Sequence, residues 1–259
     1  MDLELQGKVA VVTGASKGIG LAITRALVRE GARVIAGARS SSAELAELAR
    51  TGKVRAVQVD LADQAGPAEL VGQAGDHLDI LVNNVGGAPP RPDGFLSVTD
   101  EQWLASINLN FMAAVRATRS ALPVMIAAGH GAVVNVTSVN AFLPDPAVID
   151  YCAAKAALAN FSKALSKEAG PRGVRINTVS PGPVATDLWL GEQGVAATVG
   201  RATGVKPKDV ASGAARQSLS GRFTLPAEVA DLVVLLASDR AANVLGANIT
   251  IDGGLITTL

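Results

Sequence analysis

Short β-branched runs recur along the chain, separated by longer stretches rich in Ala and Leu. The runs are KVAVVT at 8–13, RVIAGA at 33–38, VRAVQV at 54–59, DILVN at 79–83, AVVNVTS at 132–138, RINTVS at 175–180 and NITID at 248–252. Each has the length and composition of a strand. The intervening stretches, such as LAITRALVREGA, DEQWLASINLNFMAAVRATRSAL and AALANFSKALSKEAG, carry apolar residues at helical spacing. Alternation of this kind predicts βαβ units around a parallel sheet.

The punctuation agrees. Gly31 closes the first helix before the second strand, and Pro226 stands where a helix in PAEVADLVVLLA can begin. Pro89, Pro90 and Pro92 in GGAPPRPDG exclude regular helix and predict a loop. From Asp187 to Phe223 the pattern is less regular, with glycines at 191, 194, 200, 204, 213 and 221, and this segment is the candidate for a mobile substrate lid. No fixed-period repeat, low-complexity tract or linker interrupts the chain, so one domain over 1–259 is expected.

Composition narrows the function classes. Hydrophobic residues at 49% and charged residues at 18% are a globular balance. Lys plus Arg and Asp plus Glu both number 23, which removes the basic footprint of most nucleic-acid or anionic-membrane binders. The N-terminus MDLELQGKVAVV is acidic and enters a strand-like run too soon for a signal peptide. No apolar stretch reaches spanning length, so a soluble cytoplasmic protein is expected. Cys152 is the sole cysteine, which rules out an intrachain disulfide or a zinc-binding thiolate cluster, and His77 and His130 have no metal-ligand spacing. No metal is expected.

Two constellations carry chemistry. The first strand runs into TGASKGIG at 13–20, where Gly14, Gly18 and Gly20 permit a tight turn that aims amides and the positive end of a helix at a pyrophosphate. Ser16, Lys17 and Ile19 belong to the same turn. At the end of the second strand, position 38 is alanine and Arg39 follows. A carboxylate there would receive the ribose hydroxyl of NAD, whereas arginine favours the 2′-phosphate of NADP, and Lys17 adds a second positive charge.

The other constellation is IDYCAAKAAL. Its Tyr151 is the only tyrosine in the chain, and Lys155 lies four positions on, on the same helical face. A phenol with an unperturbed pKa of about 10 needs a nearby cation to serve as acid and base around neutrality. Ser138 ends the fifth run, at the carboxyl end of a strand, where open α/β sheets bind ligands. Cys152 points elsewhere on the helix and reads as a small buried residue.

Together, TGASKGIG, VDLAD at 59–63, NNVGG at 83–87, INLN at 107–110, VTS ending at Ser138, YCAAK and SPGPVATD at 180–187 resemble the short-chain dehydrogenase/reductase family over essentially the whole chain. The motifs are shared with bacterial 3-oxoacyl carrier-protein reductases. The resemblance implies a single-domain Rossmann-type doubly wound α/β fold, a parallel sheet of about seven strands in the order 3-2-1-4-5-6-7. It implies Tyr151 as proton donor, Ser138 as its partner on the carbonyl oxygen, and Lys155 as the group that holds the nicotinamide ribose and lowers the phenol's pKa. Asn108 would complete a tetrad by retaining a relay water.

For the cofactor it implies contacts from Asp60, Leu61, Asn84, Val85, Gly86, Pro181, Gly182, Val184 and Thr186. Family members commonly have alanine where Val85 stands. The implied activity is NADPH-dependent reduction of a ketone or aldehyde to an alcohol. The alternatives are an alcohol dehydrogenase working oxidatively and a non-catalytic NADP sensor. A homotetramer or homodimer is expected, built on the helices after the fourth and fifth strands and on the apolar C-terminus.

Overall fold

The computed structural model describes residues 2–258. Its strands are β1 (Val9–Thr13), β2 (Arg33–Ala38), β3 (Val54–Gln58), β4 (Ile80–Asn83), β5 (Gly131–Val136), β6 (Val174–Pro181) and β7 (Asn248–Ile251). They form one parallel sheet in the order β3-β2-β1-β4-β5-β6-β7. The chain order reverses between β1 and β4, which share Val11↔Leu81 in register while β1 pairs Val11↔Ile35 on its other side. A doubly wound sheet binds ligands at the carboxyl ends of its strands at such a reversal.

The helices are α1 (Gly18–Arg29), α2 (Ala43–Arg50), α3 (Gly66–Gly72), α4 (Asp100–Ile107), α5 (Ala113–Ala128), α6 (Ile149–Ala169), α7 (Asp187–Leu190), α8 (Val195–Thr203), α9 (Pro207–Gln217) and α10 (Pro226–Ala237). Strand parity assigns the two faces. Ala10 and Val12 of β1, with Val34, Val82, Val134 and Val136, join the core under α1 and α10, where Ile23, Leu27, Val229 and Val233 are fully buried. Val9 and Val11, with Ile35, Leu81, Val133 and Ile176, meet Leu70, Ala117, Ala121 and Met125 of α3 and α5. Covering both faces explains why the strands read as near-continuous apolar runs. Each fully buried Leu, Ile or Val contributes about 1.5–3 kcal/mol.

Two expectations are revised. Residues 187–223 are largely helical: Gly191 follows α7, Gly194 precedes α8 and Gly204 closes α8 at φ +74°, while Gly200 and Gly213 are carried inside α8 and α9. α4, a π-helical turn (Asn108–Met112) and α5 form a continuous helix, Asp100–Ala128. It is long and apolar enough to span a membrane by length and composition, with mean hydropathy 1.2, contrary to the expectation that no apolar stretch reaches that length. In this fold its α5 portion packs on α3 and the sheet.

At the amino-terminal edge of the sheet, both histidines converge on Asp79. His77 Nε2 lies 3.0 Å and His130 Nδ1 3.7 Å from its carboxylate, beside Lys8 at 3.4 Å. The backbone amide of Val9 donates to the same group at 2.8 Å.

Candidate active site

The turn after β1 is built as a cradle. Gly14 and Gly18 hold φ of +68° and +56°, a region that side chains rarely enter. A Cβ on Gly20 would stand 2.2 Å from the Gly14 carbonyl oxygen, so the start of α1 packs directly on the turn. Lys17 precedes α1 in extended conformation without capping it, and no acidic residue occupies the first turn. The first amides of α1 therefore have no side-chain cap and no acidic residue in their own turn, the arrangement that receives phosphate.

Ser16 and Ile19 are partly buried in the turn, and Arg39 is exposed directly after β2. Lys17 is turned to Asp187, 3.8 Å away across an exposed bridge, where sequence had suggested a phosphate partner. Thr186 lies against Gly18, where an added Cβ would come within 3.2 Å of Thr186 Cγ2.

The remaining cofactor candidates divide by what their side chains already do. Asp60 accepts from the Ala62 amide at 2.9 Å and is otherwise exposed. Leu61 and Val184 are buried in the core. Asn84 donates its amide to the carbonyls of Thr13 and Gly14 at 3.0 and 3.2 Å. Thr13 Oγ1 accepts from the backbone amides of Asn84 and Val85 at 2.9 and 3.1 Å. These bonds lock the NNVGG segment to the glycine turn. Val85 is accommodated against the α3/α5 face of the core. Pro181 ends β6, and the Gly182 amide bonds the Ile251 carbonyl at 2.9 Å, close enough to Asp252 that a Cβ would stand 2.8 Å from it.

Ser138 and Tyr151 come together at the carboxyl end of β5 and the first turn of α6. Ser138 Oγ accepts from the Asn140 amide at 3.1 Å and donates to Asn140 Oδ1 at 3.2 Å, so its orientation is set locally. Tyr151 packs with Ala88, Val148 and Cys152. Lys155 is buried, donates to the Val136 carbonyl at 2.9 Å, and holds its ammonium 5.7 Å from the Tyr151 ring centroid. Cys152 is buried, its thiol against the Asp145 backbone, and burial pushes its pKa up.

Burial pushes the Tyr151 phenol up to about 12, with the Ser138 hydroxyl pulling the other way. The same burial lowers Lys155 to about 8. The net shift of the phenol is thus upward, opposite to the expectation that Lys155 draws it down. Desolvation outweighs the Ser138 hydrogen bond, and the Lys155 ammonium is directed at the Val136 carbonyl. The phenol is neutral around pH 7, the protonation state a proton donor requires.

The tetrad assignment on INLN is corrected. Asn108 is turned out of the site: its Nδ2 donates to the Ala62 carbonyl, and its Oδ1 accepts from Arg116 at 2.6 Å. Asn110, which is buried, faces the site instead. Its side chain exchanges hydrogen bonds with the Gly87 amide and carbonyl at 3.0 and 2.9 Å. A Cβ on Gly86 would stand 2.8 Å from Asn110 Oδ1 and 3.4 Å from Lys155 Nζ, so the two side chains flank one point. The cause is helical phase, since residues two apart point to different faces and the π turn shifts that phase further. Both asparagines lie in the motif, and only the winding of the helix separates them. Thr13, Asn140 and the Arg91–Asp150 pair were also missed as site-building residues. Asp150 left one signal, an acid beside the candidate tyrosine.

Comparison with known proteins agrees with this geometry. Residues 8–193 match the family model of the short chain dehydrogenases. The chain is 38% identical to D-threitol dehydrogenase of Mycolicibacterium smegmatis, over 98% of this chain and 94% of that one. It is 34% identical to a 3-oxoacyl-[acyl-carrier-protein] reductase of Thermotoga maritima, over 98% and 100% respectively. The structure of L-sorbose reductase from Gluconobacter frateurii, complexed with NADPH and L-sorbose, superposes with a TM-score of 0.90 at 35% identity, covering 100% of both chains. Sequence, sheet order and site thus converge on one conclusion: the chain belongs to the short-chain dehydrogenase family.

Proposed function

We propose that the protein reduces a small polyhydroxylated ketone to the corresponding alcohol, with NADPH as reductant. Oxidoreduction of the C=O/CH–OH couple is the chemistry of its relatives, and the observation that carries the reading is the meeting of Ser138, neutral Tyr151 and buried Lys155 beside the uncapped α1. The cradle fits a dinucleotide: Gly14 to Gly20 offer amides to the pyrophosphate, Arg39 a cation to the 2′-phosphate, and Asp60, Asn84 to Gly86 and Pro181 to Thr186 the remaining surface. Bound there, NADPH would supply hydride from its nicotinamide C4. Tyr151 gives its proton to the carbonyl oxygen, Ser138 donates a hydrogen bond to that oxygen, and Lys155 holds the ribose. Asn110 takes the tetrad place first given to Asn108. Lys17, freed from Asp187, joins the phosphate contacts.

Substrate class is argued from the company the chain keeps and from Asn140. Two of the three relatives above are named for a sugar alcohol or a ketose, and Asn140 adds an amide beside Ser138 suited to a hydroxyl. The segment 187–223 serves as the lid, with Leu188 and Leu190 exposed at its start. The test is kcat/KM with NADPH across four- to six-carbon ketoses and a 3-oxoacyl thioester. The expected result is at least about a tenfold preference for a ketose, within what placed hydrogen-bond partners supply. A thioester preference would support the carrier-protein reading instead.

The charge on Lys155 sets a pH dependence. Because its pKa is lowered to about 8 by burial, the ammonium is present below that pH and lost above it. The free-enzyme parameter, kcat/KM for NADPH, should fall as pH rises through about 8, while Lys155→Arg should lose that limb. Initial rates at limiting NADPH from about pH 6 to 10 check this, and a profile that stays flat contradicts it. The sign for stability is opposite. The unfolded chain holds this proton up to 10.5, so burying the charged lysine opposes folding below about pH 8, and the penalty lifts as pH climbs between the two values.

A further inference from the structure

We propose that Arg91 is a positioning residue for this reduction. Its ion pair with Asp150 fixes the start of α6, and with it the Tyr151 phenol, to the loop that leaves β4 beside the cofactor cradle. The inference rests on the reductase reading and concerns residues outside the family motifs quoted above.

Pro89, Pro90 and Pro92 leave the loop few amides with which to bond itself. Arg91 supplies the anchor. Its backbone amide donates to the Ala147 carbonyl at 2.7 Å, and its guanidinium donates to Asp150 Oδ2 at 2.5 Å. The Asp150 side chain is 0% exposed and that of Arg91 12%. Among the described residues, Asp150 Oδ1 and Arg91 Nε find no partner. The guanidinium is therefore the one hydrogen-bonded cation offsetting a fully buried carboxylate. Removing it leaves a charge that either takes up a proton or draws its backbone away.

That backbone is the residue before Tyr151, in the first turn of α6. The other end of the same loop is Gly86–Gly87, which Asn110 holds beside Lys155. Six residues thus run from the lysine side of the site to the helix that carries the phenol. A buried ion pair is weak support for stability, and an apolar pair would pack as well. What it adds is a fixed distance and direction, at the point where a misplacement of about 1 Å can cost about 100-fold in rate.

The test compares wild type, Arg91→Lys, Arg91→Met and Asp150→Asn by kcat per NADPH-binding site, the sites counted by fluorescence titration. Arg91→Met and Asp150→Asn should lower kcat per site by about 10- to 100-fold with the Kd for NADPH within about threefold, and Arg91→Lys should recover most of the rate. Loss of folded protein would lower the number of sites and leave the rate per site unmoved. The proposal is overturned if Arg91→Met keeps kcat per site within about threefold of wild type, or if its activity falls only in step with NADPH sites. Should Arg91→Met not fold, Asp150→Asn, which keeps the carboxylate's shape, decides by the same readout. Failure of the reductase reading itself looks different, because Tyr151→Phe would then turn over as well as wild type.

Discussion

Tyr151→Phe should reduce carbonyl turnover by about 10²- to 10⁴-fold, the usual contribution of a positioned general acid, while leaving NADPH binding nearly unchanged. The substitution removes one oxygen and keeps the ring that packs with Ala88, Val148 and Cys152, so the helix and its Lys155 stay in place. Its specificity follows from composition: no other tyrosine exists in the chain to substitute for the phenol. Steady-state kcat together with a fluorescence titration of NADPH separates the two quantities. A variant that binds NADPH and does not turn over fits the account. A variant that loses binding in proportion to rate would make the tyrosine a packing residue.

Gly20→Ala is the second large effect expected, and it acts on binding. The new Cβ would stand 2.2 Å from the Gly14 carbonyl oxygen and 2.5 Å from Asn84 Nδ2. A side-chain amide can swing away, but the carbonyl belongs to the turn that forms the cradle. Either that turn opens or α1 retreats, and in both cases the aligned amides are lost. Overpacking of this kind costs about 1–3 kcal/mol in stability, and losing several charge-assisted hydrogen bonds to phosphate should weaken NADPH by at least about 100-fold. Gly72→Ala is the control, since its Cβ would meet nothing within 4 Å, and its stability should move by less than about 1 kcal/mol, in the favourable direction. Calorimetric titration with NADPH and thermal melts of both variants check the contrast. Equal binding by wild type and Gly20→Ala would contradict the cradle.

Much of this is legible in the sequence, for a physical reason. A parallel sheet covered on both faces needs strands that are apolar throughout, and the seven runs fell within two residues of the observed strands at each end. The glycine turn, Ser138, Tyr151 and Lys155 were legible because each sits at an element end whose position the pattern fixes. What escaped depends on quantities that spacing does not carry. Asn108 and Asn110 are distinguished only by helical phase across a π turn. A fall of Tyr151's pKa under Lys155 is expected from proximity, whereas burial raises it instead. His77 and His130 meet at Asp79 only because β4 and β5 are neighbours in the sheet. α7 and α8 were hidden by glycines that act as their ends, and Arg91 lay in a proline loop whose partner is 59 residues away.

The most direct test of the account is to supply NADPH deuterated at the transferred C4 position, together with a ketose, and to analyse the product by mass spectrometry. The account predicts one deuterium on the new carbinol carbon for each NADPH oxidised, and about 10²- to 10⁴-fold less labelled alcohol with Tyr151→Phe over the same interval. NADPH oxidation without label in the alcohol, or equal labelling by the tyrosine variant, would contradict it.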